Sequence, residues 1–138
     1  MVNDLPPSAV RLVLVVDDDE DSREMYCVAL RSVGFMTVPS GDAATAFRAA
    51  TVLRPQLIVT DIRMAGEMDG LELTRRLRRD DRTKDIGVIV LSALAYDADR
   101  QHAHAAGCDI FLTKPCGPDE LALEIQRVLA ATVSARSA

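Results

Sequence analysis

The sequence lacks tryptophan, a long apolar run and any recognisable targeting signal. Tyrosine and phenylalanine are so scarce that aromatic residues make up only 4% of the 138 positions, and aliphatic side chains must therefore build the core. No apolar run approaches the roughly 20 residues that a membrane-spanning helix needs, and no signal-peptide pattern opens the chain. We therefore expect a cytoplasmic protein without membrane contact. A chain of this length fits one domain.

Charge and cysteine content exclude further classes of protein. The net charge of −5 does not favour direct binding of nucleic acid or of an anionic membrane. The three cysteines, Cys27, Cys108 and Cys116, are odd in number and lack the spacing of a metal site. We expect them to be reduced thiols.

Apolar runs of strand length alternate with amphipathic segments of helix length along most of the chain. Strands are predicted at residues 11–16, 35–39, 57–61, 86–91 and 110–113. Helices are predicted at residues 21–33 or 22–33, 42–53, 71–79, 97–106 and 119–131. Strands this apolar are typically covered on both faces, and strand–helix alternation implies parallel strands with right-handed crossovers. The predicted class is a doubly wound α/β fold.

The ends of the chain differ from its middle. Residues 1–9 contain Pro6-Pro7 and no periodicity, so they are predicted to be a flexible lead-in. The domain is predicted to span residues 10–131, followed by a frayed tail at 132–138. Ser22 is the candidate N-cap of the first helix, because its hydroxyl can accept a hydrogen bond from the first helical turn.

Three of the predicted strands end on charged residues. Asp17-Asp18 follows the first strand, Asp61 ends the third, and Lys114 follows the fifth. The carboxyl ends of parallel strands meet at one edge of the sheet, where ligands bind. Carboxylates about 5 Å apart would repel by roughly 3 kcal/mol per pair at an effective dielectric constant near 20. A hard cation such as Mg²⁺ would offset that repulsion.

Five short motifs occur in a fixed order. They are Val15-Val16-Asp17-Asp18, Thr60-Asp61, Met68-Asp69-Gly70, Leu91-Ser92-Ala93 and Lys114-Pro115. With these motifs, the chain resembles a response-regulator receiver domain of two-component signalling over roughly residues 11–131, and is similar to stand-alone chemotaxis regulators. The resemblance implies a flavodoxin-like (βα)5 fold with a five-stranded parallel sheet in the order 2-1-3-4-5.

The resemblance also implies a metal site and a phosphorylation site. Asp61 would be the phosphoacceptor. Asp18 and Asp61 would bind Mg²⁺ directly together with the backbone carbonyl of Arg63, and Asp17 would act partly through water.

Other positions would contact the phosphoryl group or respond to it. Ser92 would supply a hydroxyl and Lys114 an ammonium to the phosphoryl group, and the Lys114–Pro115 peptide bond would be cis. Ser92 and Phe111 would be the switch residues. Arg63 and Leu94 occupy the two variable positions that tune hydrolysis in the family.

One segment departs from the family pattern. Residues 64–70 lack the usual proline and contain one additional residue, which predicts a looser loop beside the acceptor. The effect of this change on the lifetime of the phosphate does not follow from the sequence.

The resemblance finally implies partners. A histidine kinase or a histidine phosphotransfer protein would donate the phosphoryl group, and slow self-hydrolysis would remove it, so the domain is expected not to be an enzyme for other substrates. No output domain follows, so the signal is expected to leave through a protein–protein surface formed by the fourth helix, fifth strand and fifth helix.

Two other functions remain open. The pattern Asp17-x-Asp19 mimics the nucleophile motif of haloacid-dehalogenase-type Mg²⁺ phosphatases, although Asp21 replaces the expected threonine or valine. The domain could also be a pseudo-receiver that docks partners without being phosphorylated.

Overall fold

Five parallel strands form one sheet in the order β2-β1-β3-β4-β5, which confirms the predicted topology. The computed structural model describes residues 11–64, 66–93 and 96–137, with side chains to residue 131. The strands are β1 Leu12–Val16, β2 Met36–Ser40, β3 Leu57–Asp61, β4 Gly87–Ser92 and β5 Ile110–Thr113. The helices are α1 Glu20–Ser32, α2 Ala43–Leu53, α3 Gly70–Arg79, α4 Asp97–Ala106 and α5 Pro118–Ser137. The predicted lead-in, residues 1–9, lies outside the described residues.

The helices cover both faces of the sheet, as the apolar strands predict. Alternate residues of a strand point to opposite faces. Val13 and Val15 of β1 therefore join a core cluster that contains residues of α1 and α5. Leu14 and Val16 join the second cluster, to which α2, α3 and α4 contribute. All four residues are almost completely buried, so aliphatic packing on two faces replaces the missing aromatic core.

The start of α1 differs from the sequence prediction. Asp19, not Ser22, is the N-cap, and its Oδ2 accepts hydrogen bonds from the Ser22 backbone N–H at 3.1 Å and the Ser22 hydroxyl at 2.7 Å. A carboxylate at this position also interacts favourably with the positive end of the helix dipole. The pKa of Asp19 lies below its ordinary value, chiefly because of the hydrogen bonds from Ser22.

The end of α5 also differs. The helix continues to Ser137 instead of ending at Ala131. Residues 132–137 contain neither glycine nor proline, so no residue forces the helix to stop. Within the described residues, no helix has both the length and the apolar character that would let it cross a bilayer.

The register of the sheet brings distant polar residues to one edge. Val16 at the end of β1 lies beside Thr60 of β3, and Asp61 lies beside Leu91 of β4. Ser92 at the end of β4 in turn pairs with Thr113 of β5. The residues at or just after these four strand ends therefore share a single edge of the sheet.

Candidate functional site

The ammonium group of Lys114 joins two carboxylates at the carboxyl edge of the sheet. Its Nζ donates to Oδ2 of Asp61 at 2.9 Å and to Oδ2 of Asp17 at 3.3 Å. The side chain of Asp17 is 6% exposed, whereas those of Asp61 and Lys114 are 17% and 23% exposed. Asp17 is therefore an interior group, and solvent reaches Asp61 and Lys114.

The position of Lys114 follows from its backbone. Its N–H donates to the carbonyl oxygen of Ser92 at 2.8 Å, which extends the pairing of β5 with β4 by one residue. The Lys114–Pro115 peptide bond is cis. Burial lowers the pKa of Lys114, but the hydrogen bond and charge of Asp61, with the charge of Asp17, outweigh burial and raise it above its ordinary value. The group is thus a cation at neutral pH.

Every polar atom of Asp17 has a partner. Its backbone N–H donates to the carbonyl of Ser40 at 3.1 Å, and its own carbonyl accepts from Arg23 Nη1 at 2.8 Å. Its Oδ1 accepts from the backbone N–H of Asp19 at 2.9 Å, and its Oδ2 accepts from Lys114. Asp17 is consequently fixed in both backbone and side chain.

Asp61 is held less completely than Asp17. Its Oδ1 accepts from the N–H of the following residue, Ile62, at 2.8 Å, and its Oδ2 accepts from Lys114. Both hydrogen bonds leave lone pairs on the carboxylate. Because the side chain is also partly exposed, a carboxylate oxygen of Asp61 is accessible to a reagent from solvent.

The structure does not assemble the three carboxylates that the sequence analysis places together. Asp18 is exposed, and among the described residues no group of three His, Cys, Asp or Glu side chains is arranged to hold a metal ion. Lys114 lies between Asp17 and Asp61 and offsets part of their mutual repulsion, so these two carboxylates come together without Asp18. A metal-bound arrangement needs the exposed Asp18 side chain to join them.

The remaining predicted residues surround this group. Ser92 is buried at the end of β4. Phe111 of β5 is buried as well, and the guanidinium of Arg100 from α4 lies 5.0 Å from the centroid of its ring. Arg63 is exposed just after Asp61. Leu94 lies outside the described residues.

The loop after Asp61 is anchored at its far end by Gly70. The Gly70 N–H donates to the carbonyl of Ile62 at 2.7 Å, so the loop folds back on the strand end. A Cβ atom at position 70 would lie 1.8 Å from the carbonyl oxygen of Asp61, which excludes every other residue type without a backbone shift. Asp69 caps α3 by accepting from the N–H of Glu72 at 2.8 Å. The Asp69-Gly70 pair therefore positions the loop relative to Asp61.

Sequence reasoning missed Arg23, which binds the Asp17 carbonyl from the first turns of α1. Its signal in the sequence is weak, because it only follows an acidic run at residues 17–21. It also missed Tyr26, whose hydroxyl donates to the carbonyl of Cys116 at 2.9 Å and so ties α1 to the segment after Lys114.

The sequence relatives of this chain include transcriptional regulatory proteins of bacteria. The chain is 34% identical over 122 residues to the phosphate regulon transcriptional regulatory protein PhoB of Pseudomonas aeruginosa. The match covers 88% of this chain and 53% of PhoB. The chain thus spans about half the length of the curated relatives that it matches.

Solved structures share the fold over almost their whole length. The chemotaxis protein CheY4 of Vibrio cholerae has a TM-score of 0.82 and 28% identity, covering 87% of this chain and 99% of that one. The receiver domain of a sensor histidine kinase from Pseudomonas aeruginosa has a TM-score of 0.81 and 30% identity, with coverages of 88% and 99%. That structure contains a magnesium ion coordinated in its active site cleft.

Residues 13–126, most of the chain, match the family described as the response regulator receiver domain. The sheet order, the charged strand ends and the relatives all agree with this match. The chain therefore belongs to the response regulator receiver domain family.

Proposed function

We propose that this domain accepts a phosphoryl group on Asp61 and thereby acts as a phosphorylation-controlled signalling protein. The observation that carries the proposal is the contact of Lys114 with a partly exposed Asp61 and a buried Asp17 at the carboxyl edge of the sheet. An accessible carboxylate beside a fixed cation is suited to attack phosphorus, because the cation stabilises negative charge that develops on the transferred group.

The reaction follows from these groups. A carboxylate oxygen of Asp61 attacks the phosphorus of a phosphorylated histidine on the donor protein, the phosphorus–nitrogen bond breaks, and the imidazole leaves with the electron pair. The product is an aspartyl phosphate. Lys114, released from the Asp61 carboxylate, is placed to pair with a phosphoryl oxygen, and the Ser92 hydroxyl on the neighbouring strand is the candidate second donor. Attack of water on the acyl phosphate then returns the carboxylate and inorganic phosphate.

The residues present are chemically suited to Mg²⁺. Asp17, Asp18 and Asp61, with the backbone carbonyl of Arg63, offer only hard oxygen ligands, and Asp18 is exposed enough to reorient. We propose that these four residues hold the ion. When bound, Mg²⁺ offsets the negative charge of the phosphoryl oxygens during transfer.

The donor is proposed to be a histidine kinase or a histidine phosphotransfer protein. Phosphorylation is proposed to act through Ser92 and Phe111 on the surface formed by α4, β5 and α5, and this surface would bind the target. The cytoplasmic location and the lack of direct nucleic-acid binding also remain predictions; PhoB, a relative of about twice the matched length, is named as a transcriptional regulator.

The phosphatase alternative has little support in the geometry. Its nucleophile would be Asp17, but that side chain is buried, whereas the side chain of Asp61 is partly exposed. The second aspartate of that motif, Asp19, caps α1. If the domain were a pseudo-receiver, the contacts of Lys114 with the two carboxylates would have no role in a reaction. The following experiment distinguishes this alternative from the proposal.

The test is phosphorylation of the full chain by a radiolabelled small acyl phosphate in the presence of Mg²⁺. Borohydride reduction of the aspartyl phosphate and mass spectrometry of peptides identify the modified residue. We expect modification at Asp61, none in D61N, and normal modification in the control D85N, which changes an exposed aspartate before β4. A wild-type chain that stays unlabelled, or labelling that persists in D61N, contradicts the proposal.

A further inference from the structure

We infer that Arg23 is a positioning residue, which holds the turn after β1 so that Asp18 can join the metal site. The inference rests on the proposed function, because it concerns the Mg²⁺ site of that reaction. Arg23 lies on α1, outside the group formed by Lys114 and its two carboxylates, and it contacts the backbone of that group instead of its side chains.

The contacts of Arg23 connect three segments. Its Nη1 donates to the carbonyl of Asp17 at 2.8 Å. The same guanidinium lies against the turn after β2, where a Cβ atom at Gly41 would come 3.3 Å from Nη1. Next to that turn, the carbonyl of Ser40 accepts from the N–H of Asp17. Arg23 thus lies between the β1–α1 turn and the β2–α2 turn.

Planarity of the peptide bond carries this restraint to Asp18. The carbonyl oxygen of Asp17 and the N–H of Asp18 belong to one planar unit, so a fixed oxygen fixes the direction in which the chain reaches the Asp18 Cα. The direction of the backbone at the exposed Asp18 sets which positions its carboxylate can reach. The hydrogen bond from Arg23 orients the backbone that presents its carboxylate.

A purely electrostatic role of Arg23 predicts the opposite effect on metal binding. Arg23 is a cation close to the acidic residues 17–21. If only its charge mattered, it would repel an incoming Mg²⁺, and its removal would strengthen binding. If it positions the turn, its removal weakens binding. The sign of the change in Mg²⁺ affinity therefore separates the two roles.

The experiment is a calorimetric titration of Mg²⁺ into the full chain, with melting temperatures recorded in a chelator. We expect R23Q to raise the Kd for Mg²⁺ by about 10-fold to 100-fold, as removal of outer-shell partners of metal ligands does. R23K, which can still donate to the Asp17 carbonyl, should recover most of the loss. R31Q, on an exposed residue in the last turn of the same helix, should bind like the wild type.

A second variant keeps the charge and disturbs only the position. G41A places a methyl group against the guanidinium, and positioning predicts a smaller rise in Kd than in R23Q. Unchanged or tighter binding in R23Q overturns the inference, as does a loss that R23K does not relieve. If R23Q does not fold, unchanged binding in G41A overturns it. Failure of the wild type to bind Mg²⁺ instead overturns the proposed metal site and this inference with it.

Discussion

Lys114 and Arg78 lie at opposite edges of the sheet, and each is a cation in contact with several oxygen atoms. Lys114 follows β5 and binds two carboxylates. Arg78 is on α3 and reaches the residues that precede β4 and β5: its Nε donates to the Gly107 carbonyl at 2.9 Å, and its Nη1 donates to the carbonyls of Lys84 and Ile86. The two sites use cations in different ways.

The partners of Arg78 are mostly backbone atoms. Besides the three carbonyls, only Asp109 provides a side chain among the described residues, at 3.1 Å from Nη2. Asp109 itself accepts from the N–H of Val88, so the whole group joins α3, β4 and the segment before β5. Gly107 has a φ of +108°, and a Cβ there would lie 2.7 Å from Arg78 Cγ. The aliphatic part of the Arg78 side chain therefore requires a glycine at this position.

The difference supports the proposal that the Lys114 edge is the reactive one. The planar guanidinium binds several backbone carbonyls at once, so Arg78 is a fixed connection. Lys114 is a compact charge bound to the two carboxylates that we propose bind a metal ion and, for Asp61, phosphorus. Its contacts can therefore be exchanged during a reaction. The following predictions separate a structural cation from a reactive one.

The largest expected effect is on phosphorylation in K114Q. Without the ammonium, the charge on the transferred group loses a donor, and we expect the initial rate of acyl-phosphate labelling to fall by roughly 10²–10³-fold. K84Q, which changes the other lysine of the chain, should be labelled at the wild-type rate. A K114Q rate within a few-fold of the wild type would remove Lys114 from the chemistry.

The next effect is on stability in R78M. Removing the guanidinium takes a donor from three backbone carbonyls and leaves Asp109 with only the Val88 N–H, which should lower the free energy of unfolding by about 2–3 kcal/mol. Urea unfolding measures this value. R79M, on an exposed residue of the same helix, should change it by no more than about 0.5 kcal/mol. Folded R78M should still be phosphorylated; loss of labelling would show that the two edges are not independent.

A smaller effect concerns stabilisation by Mg²⁺. At a concentration ten times the Kd, the ion should raise the free energy of unfolding by about 1.4 kcal/mol, because it binds the folded state. We expect D18N to lose this gain and the control D81N, at an exposed aspartate far from the site, to retain it. Thermal melts across a Mg²⁺ titration measure both. An equal gain in D18N would exclude Asp18 as a ligand.

The smallest effect is a pH dependence near the Arg78 edge. Burial, with the charge of Asp109 adding to it, raises the pKa of the Cys108 thiol from 9.0 to about 11. The unfolded chain therefore loses this proton first, so the contribution is complete below pH 9 and is lost as the pH rises toward 11. The loss is about 1 kcal/mol near pH 9.5. C108A should show a shallower decline in urea unfolding between pH 8 and 10; an identical slope would contradict the assignment.

The fold was largely predictable because proline and glycine residues mark the ends of several strands and helices. The predicted limits of β3, α4 and β5 agree with the structure residue for residue, since Pro55, Gly107 and Pro115 interrupt the regular patterns. The predicted N-cap of α1, Ser22, was wrong because several neighbouring residues have side chains that can cap a helix, and the sequence does not show which of them does so. The predicted end of α5 at Ala131 was wrong because helix propensity declines after that residue, but no glycine or proline interrupts the helix.

The site was predictable only as far as the backbone determines it. Parallel strand ends bring Asp17, Asp61 and Lys114 to one edge, and their contacts follow from that. The ligand role of Asp18 stays a prediction, because the strand register sets the position of its backbone but not the rotamer of its exposed side chain. Arg23 was missed because a long side chain that reaches back to a backbone carbonyl has no periodic signal.

The anchoring of the loop after Asp61 has a consequence for protein engineering. Gly70 must stay against the Asp61 carbonyl, whereas a Cβ atom at Gly66, where φ is +103°, would meet no atom within 4 Å. Insertions beside Gly66 should therefore meet little steric conflict if the glycine itself is kept, because its positive φ strains any other residue type, whereas insertions from position 69 onward should disturb the contact of Gly70 with Asp61. An engineered variant of this loop must therefore keep Gly70, and changes in length belong on the side of the loop that contains Gly66.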